Sequence, residues 1–453
     1  MRLSKWAKEL AMKSAKTRDK LGASYWKLWS ATAISNLGDG VAAVAYPWLA
    51  SAVTRSPFLI ALSVVVSRLP WLVFTLFAGV LTDRFDRKRI IVSMNVFNGL
   101  LTLVVGAFVY LERESLPSLD ELASIKNLET NYTLYFVILV TAFLFGLAEV
   151  LRDNTAQTMM PAVVEDKHLE KANGRMWSAE SLTNSFIGPP LGSFIISIAI
   201  FLPFFFDAAT FFIAAALIAT LKPAVKSFKP EKKSGPINFR AEIKEGFAWL
   251  WQHELLRPMA IILGLVNGIA AISGAMFILF AQEVLETTVF IFAILGTAAA
   301  IGGIIGGLLG PKVSEKIGRG RSLALALFTM PLMALLIGLS SRWYLVWLFV
   351  ALETFTAVLW NVVTVSLRQS LIPSNLLGRV NSVYRFFAWG TIPIGTLLGG
   401  TLVSILEDGL GREMAFRSVY FIAAALGFAL FLYAIRVLTE AKIERARSSV
   451  SHS

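Results

Sequence analysis

Long runs of apolar residues, separated by short polar segments, dominate the chain from residue 25 to residue 437. A membrane-spanning helix needs about 20 consecutive, mostly apolar residues. Continuous runs of that length predict helices, whereas the strands of a transmembrane barrel alternate in hydrophobicity. The pattern predicts an all-α membrane protein with twelve transmembrane helices, here called spans one to twelve. The runs lie at 25–52, 58–81, 90–111, 132–157, 176–201, 203–221, 258–281, 288–310, 322–340, 343–367, 380–406 and 415–437.

The composition supports a membrane protein and argues against a soluble enzyme. Of the 453 residues, 56% are hydrophobic and 16% are charged, and the mean hydropathy is +0.66. A soluble domain is usually about 25% charged. The chain has no cysteine and three histidines, all outside the apolar runs, so neither a disulfide framework nor a His/Cys metal site is expected. We expect no cofactor and no bound metal.

Lysine and arginine residues concentrate in one set of connecting segments. They precede span one and follow spans two, eight, ten and twelve, whereas the longest segment of the other set, 112–131, is acidic. Positively charged loops stay on the cytoplasmic side of a membrane. The net charge of +12 therefore indicates topology rather than nucleic-acid binding. We predict a multi-pass protein of the bacterial inner or cell membrane, with both termini in the cytoplasm.

Short sequence matches indicate an internal repeat. Gln157 to Pro161 follows span four, Gln369 to Pro373 follows span ten, and a glycine-rich span comes next in both places. Parallel halves of this kind rock against each other around a central site. The predicted organisation is a basic amphipathic segment (1–24), a six-helix bundle (25–221), a linker with an amphipathic helix (222–257), a second six-helix bundle (258–437) and a tail (438–453).

The segment after span two carries a signature. Residues Gly79 to Lys88 read GVLTDRFDRK, and the chain thereby resembles the major facilitator superfamily, whose loop two has the pattern G-x-L-x-D-R-x-x-R-K. The chain further resembles the drug:proton antiporter branch that contains macrolide-efflux and enterobactin-exporter-like proteins. Members of that branch often have residues like Gly38-Asp39-Gly40, Leu69-Pro70-Trp71 and Asp207 at the corresponding positions. The resemblance implies the fold of that superfamily, two six-helix halves, and secondary transport by alternating access.

Charged side chains within the spans are candidate coupling or substrate-binding residues. Placing a charged side chain at the middle of the bilayer costs a few kcal/mol, so a charged residue in a span usually has a functional or structural role. Asp39, near the middle of span one, can take up a proton or bond the backbone of a distorted helix. Glu353 in span ten can bind a cationic substrate or pair with a neighbouring helix, and Asp207 can serve coupling or packing. The predicted set is Asp39, Glu353, Asp207, Arg68, Asn36 and Asn361, with Arg68 as the expected partner of a carboxylate.

The cytoplasmic ends of spans two and four form a predicted gate. Glu149, Arg152 and Asp153 fall on adjacent faces of span four at helical spacing. The resemblance implies that Asp83 braces the N-terminal end of span eleven when the transporter is open to the outside, where a helix dipole favours a carboxylate. The predicted gate comprises Gly79, Asp83, Arg84, Arg87, Lys88, Glu149, Arg152, Asp153 and Arg385, and a proton relay is its alternative role.

Span five contains the sequence Gly-Pro-Pro-Leu-Gly-Ser at 188–193. Prolines remove backbone donors and bend a helix, and glycines allow close packing. The segment resembles the superfamily's antiporter signature, G-P-x-x-G-G, with Ser193 in place of the last glycine. We predict an antiporter-type kink at Gly188, Pro189 and Gly192, and a kink that serves packing alone is the alternative.

Together these features predict a secondary-active transporter, not an enzyme. The glycine-rich segment Gly306 to Lys312 departs from the nucleotide-binding pattern and has no Ser or Thr after the lysine, so ATP-driven pumping is not expected. We predict a monomeric multidrug antiporter that exports hydrophobic or amphiphilic small molecules in exchange for protons. A proton-coupled importer of a metabolite and a ferroportin-type metal-ion exporter are the alternatives.

Overall fold

The predicted spans coincide with α-helices in the computed structural model, which describes residues 21–119, 121–122, 125, 128–165, 169–222, 239–373 and 376–451. Most helix ends lie within a few residues of the positions expected from the sequence. The helices in chain order are α1 (Ala23–Val53), α2 (Pro57–Arg84), α3 (Arg87–Leu111), α4 (Tyr132–Val163), α5 (Leu169–Glu180), α6 (Gly188–Ile198), α7 (Leu202–Ala219), α8 (Phe239–Gln252), α9 (Leu256–Gly274), α10 (Phe277–Glu283), α11 (Val289–Ile317), α12 (Arg319–Leu339), α13 (Trp343–Leu371), α14 (Leu377–Gly390), α15 (Ile392–Leu410), α16 (Arg412–Val437) and α17 (Glu440–Ser451).

Ten stretches of the described residues are helical, long and apolar enough to cross a membrane, which makes the chain an all-helical, multi-pass membrane protein. The two predicted spans that are not among the ten are α1 and the α5–α6 segment. Both carry polar side chains that line an internal cavity, including Asp39 and Glu180. Polar residues that face a cavity lower the hydropathy of a helix without being exposed to lipid.

The helix of predicted span five is interrupted by a π-helical segment, Ser181–Ile187, between α5 and α6. Helix α6 begins with Gly188 followed by Pro189 and Pro190. A proline lacks the N–H that would continue the α-helical ladder, and a wide π turn accommodates the lost bonds. The irregular segment therefore lies directly before the prolines.

The linker helix α8 packs against α14. Gly246 lies against the backbone of Arg379, since a Cβ atom there would come within 2.8 Å of the Arg379 carbonyl oxygen. Arg379 Nη1 also binds Glu245 Oε2 at 2.6 Å, and Phe247 and Trp251 stack on Phe387. The amphipathic pattern of the linker therefore reflects docking on the bundle, one of the two arrangements that such a pattern predicts.

Residues 440–451 form helix α17, where the sequence predicts only a tail. The Glu440 carboxylate accepts hydrogen bonds from the backbone N–H groups of Arg319 at 3.2 Å and Gly320 at 2.5 Å. These are free donors at the N-terminus of α12, which a carboxylate stabilises. Glu440 thereby fixes the C-terminal helix to the second half of the bundle. Residues 1–20 of the predicted N-terminal amphipathic segment lie outside the described residues.

The two ends of the bundle are packed differently. We call the end with the α2–α3 and α11–α12 turns the basic end, and the other the opposite end. Helices α1–α7 make up the first half of the bundle, and helices α9–α16 make up the second half. At the opposite end one hydrophobic cluster, which includes Trp48, Leu49, Phe280 and Phe416, joins the two halves. At the basic end two clusters remain separate, one within each half plus its adjoining helices. The halves therefore meet at the opposite end and part at the basic end.

Buried charges reinforce the closed end. Arg55, in the turn between α1 and α2, is 2% exposed and lies 3.2 Å from Glu283 of α10. Its Nη1 donates to Gln282 Oε1 at 2.5 Å. Arg412 binds Glu283 at 2.6 Å and donates to the backbone carbonyl of Arg55 at 2.7 Å. Arg55, Gln282, Glu283 and Arg412 form what we call the opposite-end lock. Sequence analysis names none of these four residues and misses the lock.

We expect Glu283→Gln to open the opposite end more often. The substitution removes the anion between two guanidinium groups and leaves the buried Arg55 charge unpaired, a change that costs about 3–5 kcal/mol. The closed state loses that stabilisation, so a Ser51→Cys thiol, at a position 0% exposed here, should react with a maleimide at least about tenfold faster. The chain has no other cysteine, which makes labelling rates in purified protein specific to this site.

Asp408→Asn is the matched control, because Asp408 is an exposed carboxylate at the same end. It should leave the labelling rate unchanged. Equal rates for Glu283→Gln and Asp408→Asn in folded protein would show that the lock does not hold this end shut.

Candidate functional site

A cavity of about 1220 Å³ lies between the two halves of the bundle. Its lining extends from Ile60 and Ile278, beneath the closed end, to Leu28 and Met160 near the basic end. Because the hydrophobic clusters of the two halves are separate at the basic end, the cavity opens there. Its volume exceeds the roughly 300–1,000 Å³ that is usual for sites binding drug-sized molecules.

The two walls of this cavity differ in chemistry. Among the described lining residues, the second half contributes only uncharged side chains, such as Ala271, Phe277 and Phe292. Every charged lining residue belongs to the first half: four carboxylates and two guanidinium groups. Glu180 is the one that the sequence set omits, although a charge inside an apolar run was a signal for it. These charged residues are Asp39, Glu149, Asp153, Glu180, Arg68 and Arg152.

Arg152 is the centre of the charged wall. Its Nη2 lies 3.6 Å from Asp39 Oδ2 and 3.9 Å from Glu149 Oε1, and its Nε donates to Asp153 Oδ1 at 3.0 Å. The guanidinium also lies 5.5 Å from the centre of the Phe211 ring, within cation–π range. Its Nη1 has no acceptor among the described residues, so the guanidinium has a donor to spare. We call Arg152 and these three carboxylates the Arg152 network.

Two glycines place Asp39 in this network. A Cβ atom at Gly40 would lie 2.5 Å from the Asn184 carbonyl oxygen and 2.9 Å from Gly188 Cα, so α1 crosses the π segment and α6 in backbone contact. Gly38 packs against Asp207 and Thr210 of α7 in the same manner. The close approach fixes the height of α1 and turns Asp39 towards Arg152.

Asn36 and Asp207 lie on either side of this crossing. Asn36, one turn before Asp39, lines the cavity and accepts a hydrogen bond from Asn184 Nδ2 at 3.3 Å. Asp207 is 1% exposed and lies outside the cavity lining, with Thr210 Oγ1 donating to its Oδ1 at 3.5 Å. Its Oδ2 has no hydrogen-bond partner among the described residues. The structure thus places Asp39 and Asn36 in the cavity and Asp207 behind α1.

The remaining predicted coupling residues are not among the ion-pair partners of Arg152, although the charge of Arg68 acts on Glu149. Arg68 lines the cavity, but the ion pair that sequence analysis assigns to it is made by Arg152. Glu353 does not line the central cavity and instead faces a small chamber inside the second half. Asn361 is exposed on α13 and lies in the lining of neither space.

The residues predicted as a gate fall in two different places. Helix α4 continues eleven residues beyond Arg152 to Val163, about 16 Å along the helix axis, so Glu149, Arg152 and Asp153 lie within the cavity rather than at the helix end. At the basic end, Lys88 Nζ donates to the Leu221 carbonyl at 3.0 Å.

Two further gate residues lie on the helices next to the basic end. Arg87 is the first residue of α3, and Arg385 is exposed on α14. The side chains of Gly79, Asp83 and Arg84 lie outside the described ones. The gating role of loop two therefore stays a prediction.

Comparison with known proteins identifies sequence relatives among transporters. The sequence profile of the Major Facilitator Superfamily matches residues 28–392, well over half of the chain. Macrolide efflux protein A of Streptococcus pyogenes is 23% identical over 399 residues, covering 85% of this chain and 90% of the relative. Multidrug efflux pump Tap of Mycolicibacterium fortuitum is 24% identical over 409 residues, covering 88% and 93%.

Solved transporter structures share the fold. A bacterial homologue of the iron transporter ferroportin, in an inward-facing state, superposes with a TM-score of 0.71 at 13% identity and covers 92% of this chain and 98% of its own. A mutant of the nucleoside transporter NupG superposes with a TM-score of 0.68 at 11% identity, covering 93% and 100%. At these identities the likeness establishes the fold alone.

We expect Gly40→Ala to destabilise the protein by about 1–3 kcal/mol or more, because the added methyl group meets backbone atoms of the π segment and Gly188, which cannot rotate away. The apparent melting temperature in detergent measures the effect. Gly296→Ala in α11 is the matched control, since its added Cβ has no atom within 4 Å. Equal melting temperatures for the two variants would contradict a tight crossing at Gly40.

Proposed function

The chain belongs to the Major Facilitator Superfamily, and from that premise we propose that it exports amphiphilic cations across the cell membrane in exchange for protons. As a member of the superfamily it is a secondary transporter and not an enzyme. The relatives named as a macrolide efflux protein and a multidrug efflux pump favour export over import. The proposal extends to substrate class, direction and coupling ion.

The proposed topology has twelve spans, with α1 and the α5–α6 segment added to the ten candidates. The basic end then faces the cytoplasm, as the distribution of lysine and arginine favours. The two transporting units are residues 25–221 and 258–437, joined by the 222–257 linker. The opposite end is closed by both halves and the cavity opens at the basic end, which supports an inward-open state in this topology. The proposed transporter is a monomer.

The difference between the two cavity walls is the observation that supports the substrate class. An amphiphilic cation can lay its apolar part on the second half, where Phe277 and Phe292 line the cavity, and its charge towards the carboxylates of the first half. Aromatic side chains and carboxylates both attract organic cations. A neutral hydrophobic molecule would leave the acidic wall unpaired, and a hydrophilic metabolite would leave the apolar wall exposed to water.

The Arg152 network supports proton coupling. Three carboxylates, those of Asp39, Glu149 and Asp153, share one guanidinium, so the network attracts a further positive charge. A proton and a cationic substrate compete for the same surplus of negative charge. In an antiporter this competition releases the substrate when a proton arrives from the outside, and it requires no direct contact between the two ions.

Metal export is a weaker candidate. Among the described residues, no three or more histidine, aspartate or glutamate side chains gather where they could hold a metal ion. Arg152 occupies the centre of the carboxylate cluster, where a bound divalent cation would meet its positive charge. The ferroportin homologue and this chain share a fold at 13% identity, which says nothing about their substrates.

The proposed function predicts proton-driven transport in proteoliposomes. An amphiphilic dye cation should be moved against its concentration gradient when a pH gradient is imposed, because proton entry drives its displacement. A neutral molecule of the same shape should be moved more slowly by about tenfold, the effect of one lost charge-assisted contact. Transport of the dye and the neutral molecule at the same rate would contradict the proposal. Transport of a metal ion or a metabolite, with transport of neither molecule, would also contradict it.

Asp39→Asn should uncouple the transporter. The amide resembles a carboxylic acid that is always protonated, so export driven by the pH gradient should fall to background. Exchange of labelled for unlabelled substrate, which needs no proton, should remain. Asp408→Asn, at an exposed site away from the cavity, is the control for the substitution. Export by Asp39→Asn with normal proton dependence would place coupling elsewhere, at Asp207 or Glu149.

A further inference from the structure

A small chamber of about 50 Å³ lies inside the second half, between α9, α12, α13 and α16. Most of its lining is apolar, with Ile269, Met330 and Leu430 among the larger side chains. Three lining residues carry polar side chains: Ser273 of α9, Glu353 of α13 and Tyr420 of α16. The chamber has room for a few water molecules and is several times smaller than a pocket for an organic molecule. Its occupant must therefore be small.

Glu353 lacks a partner for its charge. Its carboxylate makes no hydrogen bond or ion pair with any residue that the structure describes, and only Glu353 and Tyr420 of the described lining residues can titrate. Arg417, one turn before Tyr420, is occupied by Glu413 and by the carbonyls of Gly338 and Ser340. An ionised carboxylate left unpaired inside a membrane protein is strongly disfavoured. Glu353 must therefore acquire a positive charge from outside the chain.

Further oxygen atoms are available at the chamber. Tyr420 is 4% exposed, and its hydroxyl group has no hydrogen-bond partner among the described residues although it lies at the chamber wall. Ser273 is 8% exposed, and its hydroxyl donates to the Ala270 carbonyl at 3.3 Å, which leaves its oxygen lone pairs available. Pro331 lies within α12 and has no N–H to donate to the Leu327 carbonyl one turn earlier, and both residues line the chamber. Hydroxyl, carbonyl and carboxylate oxygens are ligands that hard cations prefer.

One helix separates the chamber from the central cavity. Ala270 and Ser273 of α9 line the chamber, whereas Ala271 and Gly274 line the cavity. The helix breaks just after Gly274, before α10 begins at Phe277. Discontinuous helices in transporters expose backbone groups and frequently form the sites of coupling ions. The break lies beside both the chamber and the cavity.

We propose that this chamber binds one small monovalent cation, a proton or a sodium ion, with the Glu353 carboxylate as the anionic ligand. The Tyr420 and Ser273 hydroxyl groups and the Leu327 carbonyl are the neutral oxygen donors. The ion neutralises Glu353 in the second half independently of the Arg152 network in the first half. The proposal rests on the proposed function for its purpose, which is coupling, but the binding itself needs no transport.

Binding is tested on the purified, reconstituted protein without substrate. If the ion is a proton, infrared difference spectra between alkaline and acidic pH should contain a protonated-carboxyl band that is absent from Glu353→Gln. If the ion is sodium, NaCl should raise the melting temperature more than choline chloride does, and Glu353→Gln should weaken the apparent sodium affinity at least about tenfold. Glu315→Gln, the same substitution at an exposed residue of α11, should behave as wild type in both measurements.

A second variant keeps the test decisive if Glu353→Gln does not fold. Tyr420→Phe retains the carboxylate and removes its neighbouring hydroxyl, so the carboxyl band should change frequency or the sodium affinity should fall severalfold. The proposal is overturned if wild-type protein shows neither a sodium effect nor a carboxyl band that depends on Glu353 or Tyr420. Because no arm measures transport, this failure would leave the proposed export function standing, and failure of export would leave ion binding standing.

Discussion

The guanidinium of Arg152 is the charge around which the first half of the transporter is organised. It binds Asp39 of α1, lies beside Glu149 and Asp153 of its own helix and covers Phe211 of α7. Without it, only Arg68 among the described residues of the same wall would oppose the mutual repulsion of the three carboxylates. The close crossings at Gly38 and Gly40 bring Asp39 within reach of this one cation.

The charged side chains of the second half are arranged differently. Its wall of the central cavity has no ionisable side chain among the described residues, and the Glu353 carboxylate of α13 faces a separate chamber. The charges that it shares with the first half lie at the opposite end, where Glu283 binds Arg55 and Arg412. The first half thus holds the charges of the cavity, and the two halves together hold those of the closed end.

The positions of the helices can be predicted from the sequence, but the contacts between the helices cannot. Runs of apolar residues locate the helices because a bilayer requires long uninterrupted hydrophobic segments. The sequence also singles out Asp39 and Arg152, but as members of separate sites. Their contact depends on how far α4 extends and on how closely α1 crosses α6. The hydrophobic periodicity of the sequence carries no information on either distance. Arg55 and Gln282 are 227 residues apart, so no local pattern relates them. Helix α17 escapes notice because its stability depends on Glu440 reaching the N-terminus of α12.

The hydrogen bond from Arg412 to the backbone carbonyl of Arg55 gives the closed end a component that mutation at position 55 cannot remove. Any amino acid there presents the same carbonyl oxygen, whereas the ion pair with Glu283 depends on the arginine side chain. The two components of the closure are therefore free to evolve at different rates. Substitutions at position 55 can change how often the opposite end opens, while the backbone contact preserves the register between the halves. A transporter built in this way can change its turnover without first losing its ability to close.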